Sequence, residues 1–425
     1  MSRARDWSID LARLGAMAVV VLMHWTLARV TYTAGRVEFA TVLAGPVAVV
    51  LTWVLQVMPL FFVAGGFTNT VQLDSVRRGG GAYGAFVGLR ARRLLTPLLP
   101  LVLVMDLLSA LLGGLGQVVG DQAANPLWFL VVYLVCVTLT PVAVGAYDRW
   151  GLWSAIGLLG CVVVLDVLRY TGAWADAGAT NTFVVWLFCH QLGIAYARGA
   201  LERVSSGVLV GVAVLGAGVA VGAAVLGPYS IANLGLRDVP DQNLMPPNLV
   251  MALLGVAQLP VLGLVGRRLR GWGPGERLRR VMGLLTVSLM PVYLWQLPAL
   301  FVVVGLGMLA PAALLPAGDV AWWATTPLRL LLGAVVLGLL VVAALRWEGF
   351  VDRFPARTGL VPVVVAATLG LVGTYVLWQQ GLGVATETPL LSVAAQLAVL
   401  AAAVLLSRRR TEGQRASRRT PPPPA

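Results

Sequence analysis

The sequence lacks lysine altogether and has little of the other residue types that usually carry chemistry. Its 425 residues include only two histidines and three cysteines, and 12% of them are charged. The cysteines, Cys136, Cys161 and Cys189, all fall in apolar stretches without C-x-x-C spacing, so we expect neither disulfides nor metal binding. No connection is long enough to form a soluble domain, and we therefore expect one membrane domain to account for nearly everything.

Long hydrophobic stretches make up most of what is present. Hydrophobic residues are 59% of the chain and the mean hydropathy is +0.85, which is typical of a polytopic membrane protein. We predict an all-α polytopic membrane protein with about 12 transmembrane helices, a core of about ten plus a C-terminal pair, each able to cross roughly 30 Å of hydrocarbon. The predicted spans lie near residues 8–30, 41–67, 94–114, 126–146, 150–169, 181–199, 206–227, 246–266, 282–306, 325–346, 360–380 and 388–407.

The arginines are distributed unevenly between the loops. With a cytoplasmic N-terminus, 25 of the 31 arginines fall on the cytoplasmic side, five fall outside and Arg13 lies within the membrane. This alternation follows the positive-inside rule, so we expect both termini in the cytoplasm of a multi-pass cell-membrane protein. The net charge of +13 is then mostly a sign of topology. No basic surface is interleaved with exposed aromatic residues, so we do not expect nucleic acid as a partner.

These patterns divide the chain into three regions. Residues 1–346 form the main transmembrane domain, residues 347–407 add a helix pair, and residues 408–425 form a basic, Pro-rich cytoplasmic tail. We expect the tail to be disordered and to contact anionic membrane lipid. Secondary transporters often contain paired internal repeats, and none is recognisable here. A transporter of a small or amphipathic solute is nevertheless the main alternative to an enzyme.

The first apolar segment carries ionisable residues that hydrocarbon does not favour. Arg13 and His24 are eleven positions apart, about three helical turns plus roughly 20°, so their side chains share one helix face. Asp10 precedes Arg13 on the same stripe. Such residues are costly unless they face a partner or a wet cavity, which makes the stripe a candidate functional site. Burial favours the neutral imidazole that a general base requires; the alternative is a histidine bonded between helices beside an interfacial ion pair of Asp10 and Arg13.

A second group of ionisable residues begins the third predicted span. Arg90 and Arg93 are three residues apart on one helix face, with Arg92 beside them. Guanidinium groups bind phosphate in a planar bidentate manner, so this face suits a polyanionic ligand at the cytoplasmic surface. Positive-inside anchoring is the alternative. Together with His24, the pattern predicts a phosphate clamp beside an intramembrane base.

Four stretches of the sequence resemble the motifs of the acyltransferase 3 family of integral membrane acyltransferases, in its actinobacterial form. The resemblance extends from about residue 5 to residue 346, and the first motif is the most specific because it combines residue type, spacing and helix. The four stretches are Arg13 with His24, preceded by Asp10; MPLFFVAGGF at Met58 to Phe67; Arg90 with Arg93; and the group LWFLVVYL at Leu127 to Leu134, WLFCHQLG at Trp186 to Gly193 and VYLWQLP at Val292 to Pro298.

The resemblance implies transfer of an acyl group, usually acetyl, from acyl-CoA at the cytoplasmic side to a hydroxyl of a carbohydrate, lipid-linked sugar or natural product. It implies acyl-CoA, above all acetyl-CoA, as the co-substrate and no metal. His24 is then the general base for the acceptor hydroxyl or a transient acyl carrier, Arg13 steadies the thioester, and Asp10 orients Arg13. The residues implied to hold the nucleotide phosphates are Arg90, Arg92 and Arg93.

Four more polar residues within predicted spans are candidates for binding the acceptor: Asp106, His190, Gln191 and Gln296. We expect Asp106 to pair with His24 or His190, because an unpaired carboxylate within a span is costly. Hydrogen bonds between helices explain His190 and Gln191 equally well. Gln296 stands where the resemblance leads us to expect a histidine, and a glutamine can still orient a substrate by hydrogen bonding.

Overall fold

The structure is a computed structural model that describes residues 6–33, 36–316, 319–384 and 386–407. The predicted tail at 408–425 lies outside these residues. Most described residues belong to helices. In chain order the elements are α1 (Trp7–Leu27), β1 (Ala28–Thr33), β2 (Arg36–Thr41), α2 (Gly45–Val54), α3 (Met58–Arg78), α4 (Tyr83–Leu95), α5 (Leu98–Leu112), α6 (Gly114–Ala124), α7 (Leu127–Trp150), α8 (Trp153–Tyr170), α9 (Ala177–Ala197), α10 (Ser206–Leu226), α11 (Leu249–Arg268), α12 (Glu276–Leu309), α13 (Pro311–Leu314), α14 (Asp319–Val351), α15 (Leu360–Gln380) and α16 (Pro389–Leu405).

Within the described chain, ten segments are long and apolar enough to span a membrane. Two further predicted spans correspond to α9, which carries several buried polar residues, and to α16, which has 17 residues. The predicted class, an all-α polytopic membrane protein, is confirmed. The ten segments are Trp7–Leu27, Gly45–Arg78, Tyr83–Leu112, Gly114–Trp150, Trp153–Tyr170, Ser206–Leu226, Leu249–Arg268, Glu276–Leu309, Asp319–Val351 and Leu360–Gln380.

Local sequence explains where several helices begin. Asp6 stands at the start of α1, and its Oδ1 accepts a hydrogen bond from the Ser8 backbone N–H at 3.0 Å. Ser205 and Asn248 cap α10 and α11 in the same way. These side chains satisfy N–H groups that the first turn of a helix leaves unpaired. The cap on α1 places the start of the helix that carries His24.

The first predicted span, residues 8–30, extends beyond the C-terminal end of the observed helix. Helix α1 ends at Leu27, and the chain then forms an antiparallel hairpin in which β1 pairs with β2 from Ala28 opposite Thr41 to Thr33 opposite Arg36. Among the described residues, this pair is the whole of the sheet structure. The hairpin follows His24 by one helical turn, so it lies just beyond the candidate site along the chain.

The chain divides into two compact units, and the boundaries fall inside three long helices, α3, α7 and α14. The first unit comprises the described residues of Met1–Asp74 and Leu139–Gly338. The second unit comprises those of Ser75–Thr138 and Leu339–Ala425. The predicted helix pair at 347–407 therefore belongs to the same unit as α4, α5 and α6.

In the first unit, α3 and α9 cross at very short distance. A Cβ on Gly66 would overlap with the backbone carbonyl of His190, and a Cβ on Gly193 would overlap with that of Val63. Nearby, Phe62 and Trp186 stack with ring centroids 4.9 Å apart. Small residues let membrane helices approach in this way, and the resulting contact holds α9 in one register on α3.

Arg198, which follows α9, joins the ends of three helices of the first unit. Its Nη1 lies 2.5 Å from Asp74 Oδ2 on α3, and its Nε lies 2.7 Å from Asp148 Oδ1 on α7. Hydrogen bonding to Asp148 and then to Asp74 raises the pKa of Arg198 above its usual value, so the guanidinium stays charged. The contact is a charged junction at one end of these helices.

In the second unit, α15 and α16 pack against each other and against α4. Two glycines of α4 permit this approach, because a Cβ on Gly84 would overlap with the carbonyl oxygen of Thr358 and a Cβ on Gly88 with that of Arg357. Backbone contacts of this kind leave no space for a side chain. The predicted C-terminal helix pair is thus packed directly on the helix that carries the predicted phosphate-binding arginines.

Candidate active site

Helix α1 runs without a break through the predicted stripe of Asp10, Arg13 and His24. Asp10 is buried, Arg13 is partly buried and His24 is exposed. In a continuous helix, the offset of eleven positions from Arg13 to His24 places the two side chains on one face with a rise of about 16 Å. The continuous helix therefore keeps Arg13 and His24 on one face, as the sequence spacing predicts.

The exposed surface of His24 lies on the inward side of α1. The outward stripe of the helix consists of Leu11, Gly15, Ala18 and Leu22, which are all exposed and recur at helical spacing. His24 is two residues beyond Leu22, and this turns its side chain by about 200° away from that stripe. The exposed side chain of His24 therefore lies on the side of α1 away from that stripe.

One ring nitrogen of His24 is held and the other is open. Nδ1 lies 3.2 Å from Oε1 of Gln296, a residue of α12 that is 0% exposed. An amide oxygen only accepts hydrogen bonds, so this contact is a hydrogen bond when Nδ1 carries the proton, and Nε2 then has the lone pair. Among the described residues, no side chain or backbone group bonds to Nε2. The arrangement can accept a proton at an accessible nitrogen.

Trp25, the residue after His24, is locked in place by two helices. It is 5% exposed, and its indole N–H donates to the backbone oxygen of Gln296 at 2.9 Å. On another side, its ring packs against Gly333 of α14, where a Cβ would come within 2.6 Å of Cζ3. The backbone of α1 at His24 is thereby held by α12 and α14 together.

The predicted phosphate clamp lies in the second unit, on α4. Arg93 is exposed, and Arg90 is partly buried. Arg90 donates from Nη2 to the hydroxyl of Tyr133 at 3.0 Å, which directs its guanidinium. The two side chains leave α4 on one face because they are three residues apart.

Arg92 has a different role from its two neighbours. It is 6% exposed, and it donates to the carbonyl oxygens of Val351 and Phe354 and to Oδ1 of Asp352. These acceptors lie at the C-terminal end of α14, where backbone oxygens have no helical partner. The contacts favour a structural cap and leave the predicted clamp to Arg90 and Arg93.

Two of the predicted acceptor-binding residues form hydrogen bonds between helices. His190 is 0% exposed, and its Nε2 lies 3.0 Å from Nδ2 of Asn69 on α3. Gln191 is 1% exposed and donates to the carbonyl oxygen of Ala143 at 3.1 Å and to Ser154 Oγ at 2.8 Å. For both residues, the packing interpretation agrees better with the structure than acceptor binding does.

Asp106 has a partner that the sequence did not suggest. Its Oδ1 accepts a hydrogen bond from Nε2 of Gln396, on α16, at 2.8 Å. The expected pairing with His24 or His190 is wrong, since those imidazoles bond to Gln296 and Asn69. The carboxylate thus links α5 to the C-terminal helix pair inside the second unit.

Trp25 and Asn69 help to hold the chain's only two histidines, yet neither gave a usable signal in the sequence. A tryptophan near the end of a membrane helix is typical of the interfacial belt, which hides a specific role for Trp25. Asn69 lies 121 positions from His190, so no helical spacing relates the two.

Long apolar helices with polar side chains that pair between them define an integral membrane protein. The chain matches the acyltransferase 3 family, an acyltransferase domain, over residues 6–347. This match covers most of the chain, so the chain belongs to that family and is a membrane acyltransferase. No curated protein and no solved structure matches it.

The family assignment decides between the two functional interpretations of the sequence. An enzyme that transfers acyl groups is confirmed. The alternative, a secondary transporter without acyl transfer, has no support from the match, and no feature of the described residues requires it.

Proposed function

We propose that the protein transfers an acyl group from acyl-CoA to a hydroxyl group of a carbohydrate, lipid-linked sugar or natural product at the cell membrane. Acetyl-CoA, the smallest such thioester, is the donor to examine first. One observation carries the proposal: His24 is exposed on the inward face of α1, its Nδ1 lies 3.2 Å from Gln296 Oε1, and no described residue bonds to its Nε2. A positioned imidazole of this kind is what general-base catalysis on a hydroxyl requires.

In the proposed reaction, the acceptor hydroxyl gives its proton to Nε2 of His24 while its oxygen attacks the thioester carbonyl carbon. The carbon–sulfur bond then breaks, and the sulfur takes the proton back from the imidazolium to leave as the free thiol of CoA. The transfer changes no oxidation state, so it needs no oxidant, reductant or metal. Negative charge that develops on the carbonyl oxygen needs a hydrogen-bond donor, and we propose that Arg13 or a backbone amide at the break between α2 and α3 supplies it.

Asp10 is proposed to orient Arg13. The two side chains are three residues apart on α1, which places them as neighbours on the helix surface. Asp10 is 9% exposed, and a buried carboxylate next to a guanidinium suits an orienting ion pair.

Arg90 and Arg93 are proposed to bind the phosphates of CoA from the predicted cytoplasmic surface. Three observations favour this role: the two side chains share one face of α4, Arg93 is exposed, and a hydrogen bond directs Arg90. Planar guanidinium groups match phosphate oxygens in pairs, and such charge-assisted bonds are stronger than neutral ones.

The experiment is release of the CoA thiol from acetyl-CoA by the purified full-length protein in lipid nanodiscs. Acceptors are supplied as water alone, as a panel of monosaccharides and as lipid-linked sugars. We expect His24→Ala to lower the rate by about 10²- to 10⁴-fold, the usual worth of a general base. Because the His24 side chain is exposed and its hydrogen bond is to a single amide, the variant should fold normally.

Leu22→Ala is the matched control, since Leu22 is 49% exposed on the outward stripe of the same helix. It should release CoA at the wild-type rate. Equal rates for His24→Ala and Leu22→Ala would reject His24 as the base. Unchanged acetyl-CoA with every acceptor would reject the donor class.

Acid quenching during turnover separates the two roles that His24 could have. Direct transfer leaves no label on the protein, whereas a transient acyl carrier leaves the acetyl group of radiolabelled acetyl-CoA on the peptide that contains His24. The open Nε2 has the lone pair that either route requires.

A further inference from the structure

Gln296 makes two contacts with consecutive residues of α1. Its side-chain Oε1 faces Nδ1 of His24 at 3.2 Å, and its backbone oxygen accepts from the Trp25 indole at 2.9 Å. The residue is 0% exposed. A substrate therefore cannot reach its side chain without displacing protein, which counts against the predicted role of Gln296 in binding the acceptor.

The backbone of α1 next to this contact is held from two sides. Trp25 is bonded to α12 and packed on Gly333 of α14. Because His24 is adjacent to Trp25 in the helix, the position of its Cα is set by the same contacts. Misplacing a catalytic group by about 1 Å can cost on the order of 10²-fold in rate, so such support matters for a base.

The chemistry of the amide decides which nitrogen of His24 can act. A glutamine does not titrate, and its oxygen accepts hydrogen bonds at every pH. With Oε1 on Nδ1, the neutral imidazole is restricted to the tautomer in which Nε2 is the base. The opposite orientation of the amide would present N–H to Nδ1 and would put the ring proton on Nε2, which could then not accept one.

We propose that Gln296 is a positioning residue that holds His24 in the Nδ1–H tautomer and so leaves the basic lone pair on the exposed side of the ring, at Nε2. This inference rests on the proposed function, because it assigns the base its orientation. Gln296 acts through His24 and does not touch the reacting groups.

The first test reads the tautomer directly by nitrogen NMR of protein labelled with ¹⁵N-histidine in nanodiscs. The chain contains only two histidines, so the spectrum holds two imidazoles, and a His24→Ala sample assigns them. We expect His24 to carry its proton on Nδ1 in the wild type. A proton on Nε2 of the wild-type protein would overturn the proposal.

The second test compares Gln296→Leu with Gln296→Glu. Leucine removes the acceptor, so both neutral tautomers become accessible, and we expect kcat to fall by about 10- to 100-fold without a rise in the KM for acetyl-CoA. An ionised glutamate keeps an acceptor oxygen for Nδ1, and it should restore the Nδ1–H signal that leucine removes. An unchanged His24 spectrum in Gln296→Leu would refute the assignment.

Ser288→Ala on α12 is the control, because the Ser288 hydroxyl donates to Leu284 of its own helix. It should match the wild type in spectrum and turnover. The His190 signal reports folding in every sample, since that imidazole is buried and bonded to Asn69. If His24→Ala retained full activity, the proposed function would fail while the tautomer measurement still stood, so the two failures are distinguishable.

Discussion

Helix α1 of the first unit and helix α4 of the second both carry ionisable residues that are predicted to act on the substrates, and their surroundings differ. On α1, His24 keeps one accessible nitrogen, and its support comes from one amide and one neighbouring indole. On α4, the backbone itself is held by carbonyl groups packed on Gly84 and Gly88 and by the cap that Arg92 provides. A proton acceptor needs an accessible lone pair, whereas a charged helix face needs a backbone that is held rigidly.

The difference shows how neighbouring residues of one type divide their tasks. Arg92 is buried and bonded to the end of α14, while Arg93 is exposed and Arg90 is directed by Tyr133. A buried guanidinium without acceptors costs several kcal/mol, so the three bonds of Arg92 are needed for stability. Substitutions on α4 should therefore separate into those that unfold the second unit and those that weaken donor binding.

The largest effect is expected when the support of α4 is removed. In Gly88→Leu, the new side chain would overlap with the Arg357 carbonyl oxygen and meet Val363 Cγ2 at 3.0 Å from its Cβ. Overpacking of this kind should lower the free energy of unfolding by about 3 kcal/mol and reduce acetyl-CoA binding with it. Thermal unfolding in detergent measures the first effect, and isothermal titration with acetyl-CoA measures the second.

Gly145→Leu on α7 is the control for Gly88→Leu. Gly145 lies in the interior of the helix, and no neighbouring atom lies within 4 Å of the position that a Cβ would take there, so leucine should be tolerated. Equal unfolding temperatures for the two variants would contradict the claim that backbone contacts support α4.

An intermediate effect is expected for the clamp. Arg90→Ala should raise the KM for acetyl-CoA by about 10- to 100-fold, the equivalent of one lost charge-assisted hydrogen bond, and should change kcat less. Arg92→Ala is the contrasting variant, which should lower the unfolding temperature because α14 loses its cap. Steady-state kinetics and thermal unfolding of both variants test whether Arg90 binds the donor while Arg92 stabilises the fold. An unchanged KM in Arg90→Ala would reject the clamp.

The smallest effect is expected at Asp106. Asp106→Asn keeps the oxygen that accepts from Gln396, so the free energy of unfolding should change by less than about 1 kcal/mol and turnover should stay at the wild-type level. Denaturation and CoA-release assays on the same preparation measure both quantities. A tenfold loss of turnover would instead support the predicted role of Asp106 in binding the acceptor.

Hydrophobic patterning predicted most of the fold because membrane spans are the strongest signal that a sequence carries. All twelve predicted spans correspond to helices, and the C-terminal pair is present as α15 and α16. The hairpin at Ala28 to Thr41 was missed, since a short apolar and β-branched continuation after a helix has no distinct period. The packing of the C-terminal pair on α4 could not be predicted either, because glycines mark close approach without naming the partner.

Within the candidate site, the sequence predicted only those relations that hold between residues of a single helix. The shared face of Arg13 and His24 follows from helical spacing alone, and the structure places both on a continuous helix. The partner of His24 lies 272 positions away, and only the fold brings it there. Asp106 was assigned the wrong partner for the same reason, since its true partner is on the last helix.

The position of Arg92 bears on how the protein should be truncated for expression. A boundary drawn at residue 347, where the family match ends, would cut α14 before Val351 and Phe354 and would remove the acceptors of a buried cation. It would also uncover the Gly84 and Gly88 face of α4. Shortened versions for crystallisation or directed evolution should therefore retain the chain through residue 407, although the family domain ends well before that point.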